Sequence, residues 1–173
     1  MRLQVTDDSG FLALLDPDTY SGFVAEDWAL DALFDHFRQE MAAQHLLIWG
    51  TGQEGGSWTV EVFAGEHPAR GVKEVSGSIT SSRGRLLLTN YESLTMAAQF
   101  PDVVLPEKHQ ASLLIPVPPA HYACRIVQHA MKDQGWRDGC PPEFTLVLTE
   151  ATDRLRSWEH VPWTSDLLRG QGH

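Results

Sequence analysis

Gly50-Thr51-Gly52-Gln53-Glu54-Gly55 spells G-x-G-x-x-G directly after an apolar run, residues 46–49, that reads as a strand. In a dinucleotide-binding unit such glycines let the backbone approach a pyrophosphate, which the N-terminus of the next helix then holds. Here a stretch of period 2, residues 57–63, follows in place of a helix, and Glu54 would face the phosphates. The segment therefore reads as a wide β-hairpin turn, and no cofactor is expected. Histidine is the next candidate, as general base or metal ligand. His36, His45, His67, His109, His121, His129 and His160 show no ligand spacing. His121 and His129 share a strand parity, yet at ~3.3 Å per residue they stand roughly 26 Å apart. Surface or hydrogen-bonded histidines are the simpler reading. Cys124 and Cys140 fit a reducing compartment, in which a disulfide between them would be the exception. No paired C-x-x-C or H-x-x-x-H accompanies them, so no metal site is expected. Ser76-Gly77-Ser78 does not supply the G-x-S-x-G frame of a serine nucleophile. Glycoside chemistry needs two facing carboxylates. Glu61, Glu74 and Glu92 fall in a β-rich region, where solvated outer-face positions account for them.

Charge gives a sharper signal than any motif. The first 45 residues hold nine acids (Asp7, Asp8, Asp16, Asp18, Glu26, Asp27, Asp31, Asp35 and Glu40) against Arg2 and Arg38. That segment carries −7 of the chain's −10. A one-signed field repels nucleic acid and anionic membrane and favours basic partners. Arg83, Arg85, Arg154 and Arg156 come in pairs and form no stripe of the kind phosphate contacts require. Within the acidic segment, Tyr20, Phe23 and Trp28 interleave with Asp16, Asp18, Glu26 and Asp27. Apolar anchors with a charged rim are the anatomy of a protein interface. Phe23 and Trp28 are also placed to staple the following helix onto a sheet, and inward packing is the expectation for both.

These residues need elements to position them. The chain has 173 residues, 42% of them hydrophobic and 21% charged, which fits one globular domain, 1–173. A spanning helix needs about 20 apolar residues in a row, and the longest runs here are near four. With no signal-type apolar stretch at the start, a cytoplasmic protein is expected. Leu30, Leu33, Phe34, Phe37 and Met41 share one helical face, which predicts a long helix over 27–44 with Glu26, Asp27 and Asp31 at its positive end. Strands are expected near 3–5, 11–15, 46–49, 57–63, 72–81, 85–89, 112–117, 121–130 and 144–148. Ser82-Arg83-Gly84 would join two of them, and Pro118-Pro119-Ala120 two more. Thr89-x-x-Glu92 matches a capping box that opens a short helix through residue 99. Residues 150–173, with Trp158 and Trp163 flanking Pro162, read as an extended C-terminal strap. The sum is a mainly β chain with one long helix, of α+β class: an antiparallel β-sandwich or jelly-roll-like barrel.

Asp27-Trp28 together with Ile115-Pro116-Val117-Pro118-Pro119-Ala120-His121-Tyr122 resembles the competence protein J family. That family consists of small acidic β-sandwich proteins with an early Asp-Trp and a late strand–Pro–turn–Tyr–strand unit, and a member inhibits a partner nuclease. The resemblance covers two short patches, and the long helix at 27–44 departs from the pattern. It implies an inhibitor-type binding role. The expected function is thus a non-catalytic acidic binding protein, an inhibitor or immunity-type partner of a basic protein, using Asp18, Tyr20, Asp27, Asp31 and Asp35. The alternative is an enzyme or small-ligand binder with His and Glu acid–base groups in a β-sandwich pocket. The oligomeric state is left open.

Overall fold

Inward apolar residues at every second position build one sheet, and apolar runs such as Phe11–Leu15 and residues 46–49 build much of the other. The computed structural model describes residues 1–129, 142–153 and 155–164. The first sheet holds β1 (Arg2–Asp7), β4 (Gly56–Ala64), β5 (Lys73–Ser81), β8 (Ala120–Gln128) and β9 (Phe144–Glu150), in the order β1-β4-β9-β8-β5. Leu3 and Val5, Trp58, Val60 and Val62, Tyr122, Cys124 and Ile126, and Phe144, Leu146 and Leu148 all turn to one buried face. Polar neighbours on the same strands lie on the other face, as a half-buried strand demands. The second sheet holds β2 (Phe11–Leu15), β3 (Leu46–Gly50), β6 (Arg85–Asn90) and β7 (Leu114–Pro116), in the order β3-β2-β6-β7. Every residue of β2 and β3 is buried, because this sheet is covered on both faces.

Two apolar clusters result. Leu12, Leu14, Leu47, Trp49, Leu86 and Leu88 meet the first sheet's inner face. Trp58 and Trp49 both pack edge-on against Phe144, with ring centroids 5.4 and 6.3 Å apart, and each such pair adds about 0.5–1.5 kcal/mol to simple burial. The opposite face of the second sheet (Phe11, Ala13, Leu15, Ile48 and Leu87) packs under helices. These are α1 (Leu30–Ala42), which buries Leu33, Phe37 and Met41, and α2 (Tyr91–Gln99), which buries Leu94, Ala97 and Ala98. A 3₁₀ helix, Lys108–Leu113, precedes β7.

Several expectations are corrected. The glycine-rich segment 50–55 is no hairpin turn: it carries the chain from β3 in one sheet to β4 in the other. The turns at 82–84 and 118–120 also change sheets. The first sheet is not purely antiparallel, since β4 and β9 run parallel with Val60 opposite Phe144. The long helix starts at Leu30, three residues later than expected, behind Ala29 with no side-chain cap. Its start is delayed because Val24 and Ala25 both donate their N–H to the Ala98 carbonyl, at 2.9 and 3.1 Å, which keeps the approach extended. Among the described residues there are two α-helices, and α2 is capped by Asn90, which accepts from the Ser93 N–H at 2.9 Å, one residue after the expected Thr89. The first two residues of the expected strand 112–117, Ser112 and Leu113, belong to the 3₁₀ helix.

The segment 155–164 runs along the side where β3 and β5 lie together. Gly50 N–H donates to the Pro162 carbonyl at 2.9 Å, the Trp158 indole to the Ser76 carbonyl at 2.8 Å, and Leu155 N–H to Ser78 Oγ at 2.9 Å. Cys124 is buried. Cys140, and with it the question of a disulfide, lies outside the described residues, as does 165–173.

Candidate partner-binding face

The acidic segment divides into carboxylates the fold uses and carboxylates it leaves in solvent. Asp7 is buried and accepts hydrogen bonds from Gly10 N–H and the Trp58 indole. Burial pushes its carboxyl above the usual range, although those hydrogen bonds pull the other way. Asp16 is fully buried, and its two oxygens take the N–H of Asp18 at 3.0 Å and of Ser82 at 2.9 Å. It thereby ties the loop after β2 to the β5–β6 corner. Asp18 accepts a two-point contact from the Arg85 guanidinium, at 2.9 and 2.8 Å. Those hydrogen bonds, with the guanidinium charge, hold Asp18 below the usual carboxylate value. Glu40 takes the Ser21 N–H at 3.2 Å and the His45 ring at 2.9 Å. Each of the four closes a loop onto the helix or sheet.

The expected contact residues therefore separate. Asp18 is held against Arg85, with only 11% of its side chain exposed. The Tyr20 ring packs against the helix-side cluster and edge-on to His36 at 6.0 Å. Its hydroxyl is sealed from solvent without a hydrogen-bond partner, and so is His36 Nε2. Burial, reinforced by the Glu40 charge, pushes the Tyr20 phenol far above its ordinary range. Asp27 lies exposed in the turn before α1, Asp31 is exposed in its first turn, and Asp35 is exposed one turn on, paired with Arg38. Asp27, Asp31 and Asp35 thus share the helix-bearing side of the second sheet, with Asp18 and Tyr20 in the loop beside them.

Exposed apolar side chains occur in the same stretch of chain as these acids and again in the segment 96–104. Phe23 is 44% exposed, Leu30 42%, Met96 46%, Phe100 40% and Val104 72%. The expectation that Phe23 packs inward is corrected, whereas Trp28 does pack against the helix-side cluster. The hydrogen bonds from Val24 and Ala25 to Ala98 hold the two contributing segments together. Between them opens a cleft of about 230 Å³, walled by Tyr20, Phe23, Ala97, Val103, Val104 and Leu105 among others. Sequence reasoning missed its second wall. The signal was present in Phe100 and in Val103-Val104, apolar residues set in a loop beside Pro101, Asp102 and Pro106.

Two further hollows differ in character. One of about 530 Å³ lies over the outer face of the first sheet, lined by Glu66, His67, Pro68, Arg125, Val147 and Thr149. Arg125 there donates to the carbonyls of Ala69 at 2.6 Å and His67 at 2.5 Å. Another of about 350 Å³ lies between β1 and the 3₁₀ helix. Among the described residues, no group of three or more His, Cys, Asp or Glu side chains is placed to hold a metal ion. No described helix is long and apolar enough to cross a membrane.

No family model and no curated protein sequence matches this chain. Two solved structures share its fold. One is named "Crocagin biosynthetic gene J", with a TM-score of 0.62, 14% identity, and 86% of this chain and 95% of that one covered. The other is ComJ, inhibitor of the DNA degrading activity of NucA, from Bacillus subtilis, with a TM-score of 0.51, 9% identity, and coverages of 87% and 96%. The resemblance to the competence protein J family therefore holds at the level of the fold, across most of both chains.

Proposed function

We propose that this chain is a non-catalytic acidic binding protein, an inhibitor or immunity-type partner of a basic protein. One observation carries the reading: the exposed carboxylates of Asp27, Asp31 and Asp35 and the exposed side chains of Phe23 and Leu30 fall in one stretch, residues 23–35, that leads into and along α1. Aromatic and aliphatic anchors beside one-signed charge give a partner both affinity and steering. Asp18 and Tyr20 enter the same face as the residues that set its loop. A core filled with apolar side chains between two sheets is compatible with a binding surface on the exterior. The fold shared with an inhibitor of a nuclease supports the same reading. A reducing, cytoplasmic setting fits the thiol of Cys124.

The test is capture on the immobilised full chain at low salt, identification of what binds, and titration of the purified partner against Asp27→Asn/Asp31→Asn/Asp35→Asn. A basic protein whose affinity falls in the triple variant, and falls further with salt, is the expected result. Retention of no basic protein, or unchanged affinity in the triple variant, would count against the proposal.

A second reading, a small-ligand binder, has one observation in its favour. The hollow beside Arg125 has a volume within the range of about 300–1,000 Å³ typical of ligand sites. A ligand-induced thermal shift that is lost in His67→Ala would move the assignment there.

A further inference from the structure

We infer that the cleft between residues 17–23 and 97–105 is an anchor pocket for one apolar side chain, presented by a cationic segment of a protein partner. This rests on the binding-protein reading and adds its specificity element. Size argues first. About 230 Å³ falls below the span of roughly 300–1,000 Å³ that free small ligands occupy, and a single buried side chain is what such a hollow accommodates. The walls argue next, because Phe23, Val103, Val104 and Leu105 contribute hydrocarbon to a lining that also exposes polar atoms, and exposed Met96 and Phe100 adjoin the lining residues Ala97 and Pro101 in the chain.

The cleft is also preformed. Val24 and Ala25 are locked to Ala98. A Cβ on Gly22 would sit 2.9 Å from that of Ala97, so only glycine lets the loop close this tightly on α2. A rigid pocket keeps the ordering cost of binding low.

Charge identifies the occupant's neighbours. Glu26 and Asp27 follow Phe23 in the chain, Asp31 follows Leu30, and Asp102 lies between the lining residues Pro101 and Val103; all four are exposed. Arg38 and Arg85 on this side are matched by Asp35 and Asp18, and exposed Arg83, which also acts on Asp18, is outnumbered by the four free acids. The uncompensated charge is therefore negative. A second copy of this chain would bring −10 against −10, which disfavours it as the occupant.

The experiment uses the full chain and short labelled peptides in a fluorescence anisotropy titration. The probes are a Lys-flanked peptide with a central Trp, its central-Gly sibling, and a Glu-flanked peptide with a central Trp. The protein variants are Val104→Asp, chosen because Val104 is 72% exposed and makes little of the core, and Phe23→Ser as an independent probe of the same wall. The Lys-flanked Trp peptide is expected to bind about tenfold or more tighter than the Gly sibling, and each variant to remove most of that difference. Equal binding of the Trp and Gly siblings, both weakened by Asp27→Asn/Asp31→Asn, would overturn the anchor pocket and leave the cationic-partner reading standing. No binding by either Lys-flanked peptide would overturn the pocket and count against that reading too. Tighter binding of the Glu-flanked peptide would overturn the assigned charge. A dimer in sedimentation that Val104→Asp disperses would replace the partner with a second copy.

Discussion

Asp18→Asn is the substitution on which the division between structural and free acids can be judged. Asp18 accepts from Arg85 Nε at 2.9 Å and from a terminal guanidinium nitrogen at 2.8 Å. The carboxylate side chain is 11% exposed, but that of Arg85 is 42% exposed. Sheltered hydrogen bonds to charged groups contribute about 1.5–3 kcal/mol each, whereas solvent-screened pairs contribute about 0.2–1 kcal/mol. The exposure of Arg85 sets the expectation nearer the lower range, at about 1 kcal/mol of coupling. For a chain of this size that corresponds to a fall of roughly 2–4 °C in Tm. The assay is urea unfolding of the wild type, Asp18→Asn, Arg85→Met and the double variant, from which a double-mutant cycle isolates the pair. The pH dependence has a fixed sign. Arg85 lowers the Asp18 value in the folded state below 3.8, so the stabilisation is fully present above pH 3.8. It is lost as the pH falls through the lowered folded value. A coupling below about 0.3 kcal/mol, which is the noise of additivity, or a coupling unchanged in acid, would refute the reasoning. Asp18 would then belong with the solvated acids.

Asp27→Asn/Asp31→Asn should cost no more than about 1 kcal/mol in the same urea assay, since what is lost is the interaction of a solvated carboxylate with the first turn of α1. The same pair should slow association with a basic partner and flatten its salt dependence in stopped-flow measurements. Gly50→Ala would place a Cβ 2.3 Å from the Trp163 carbonyl oxygen. It should cost about 1–3 kcal/mol and expose residues 155–164 to trypsin at Arg156, seen as an early cleavage product. Burial pushes the Cys124 thiol up to about 12, so it should resist iodoacetamide at pH 8 in the native protein and react in urea, read by peptide mass spectrometry.

Alternation told the sequence which residues of β1, β4, β8 and β9 face inward, because a pleated strand exposes its faces by turns whatever its neighbours are. The helical stripe of Leu33, Phe37 and Met41 was legible for the same kind of reason. Strand partnership was not. A short turn such as 82–84 has the same local chemistry whether the chain folds back into its own sheet or steps across to another, and only the distant partner decides. The parallel pairing of β4 with β9 joins Val60 to Phe144, a contact no local window contains.

The candidate face divides in the same way. Composition fixed its sign, since −7 in 45 residues is a sum that folding cannot alter. Residue type also marked the turns at Asp7 and Asp16, because short carboxylates bond nearby backbone N–H groups. Tertiary structure decided which acids remain free. Asp18 is matched by Arg85, and Glu40 by Ser21 and His45, while Asp27 and Asp31 are left in solvent. It also built the cleft, whose walls at Phe23 and Val104 lie 81 positions apart in the chain. A pocket assembled across such a separation exists only after long-range packing has brought the two loops together, whereas charge and periodicity are properties the chain carries before it folds.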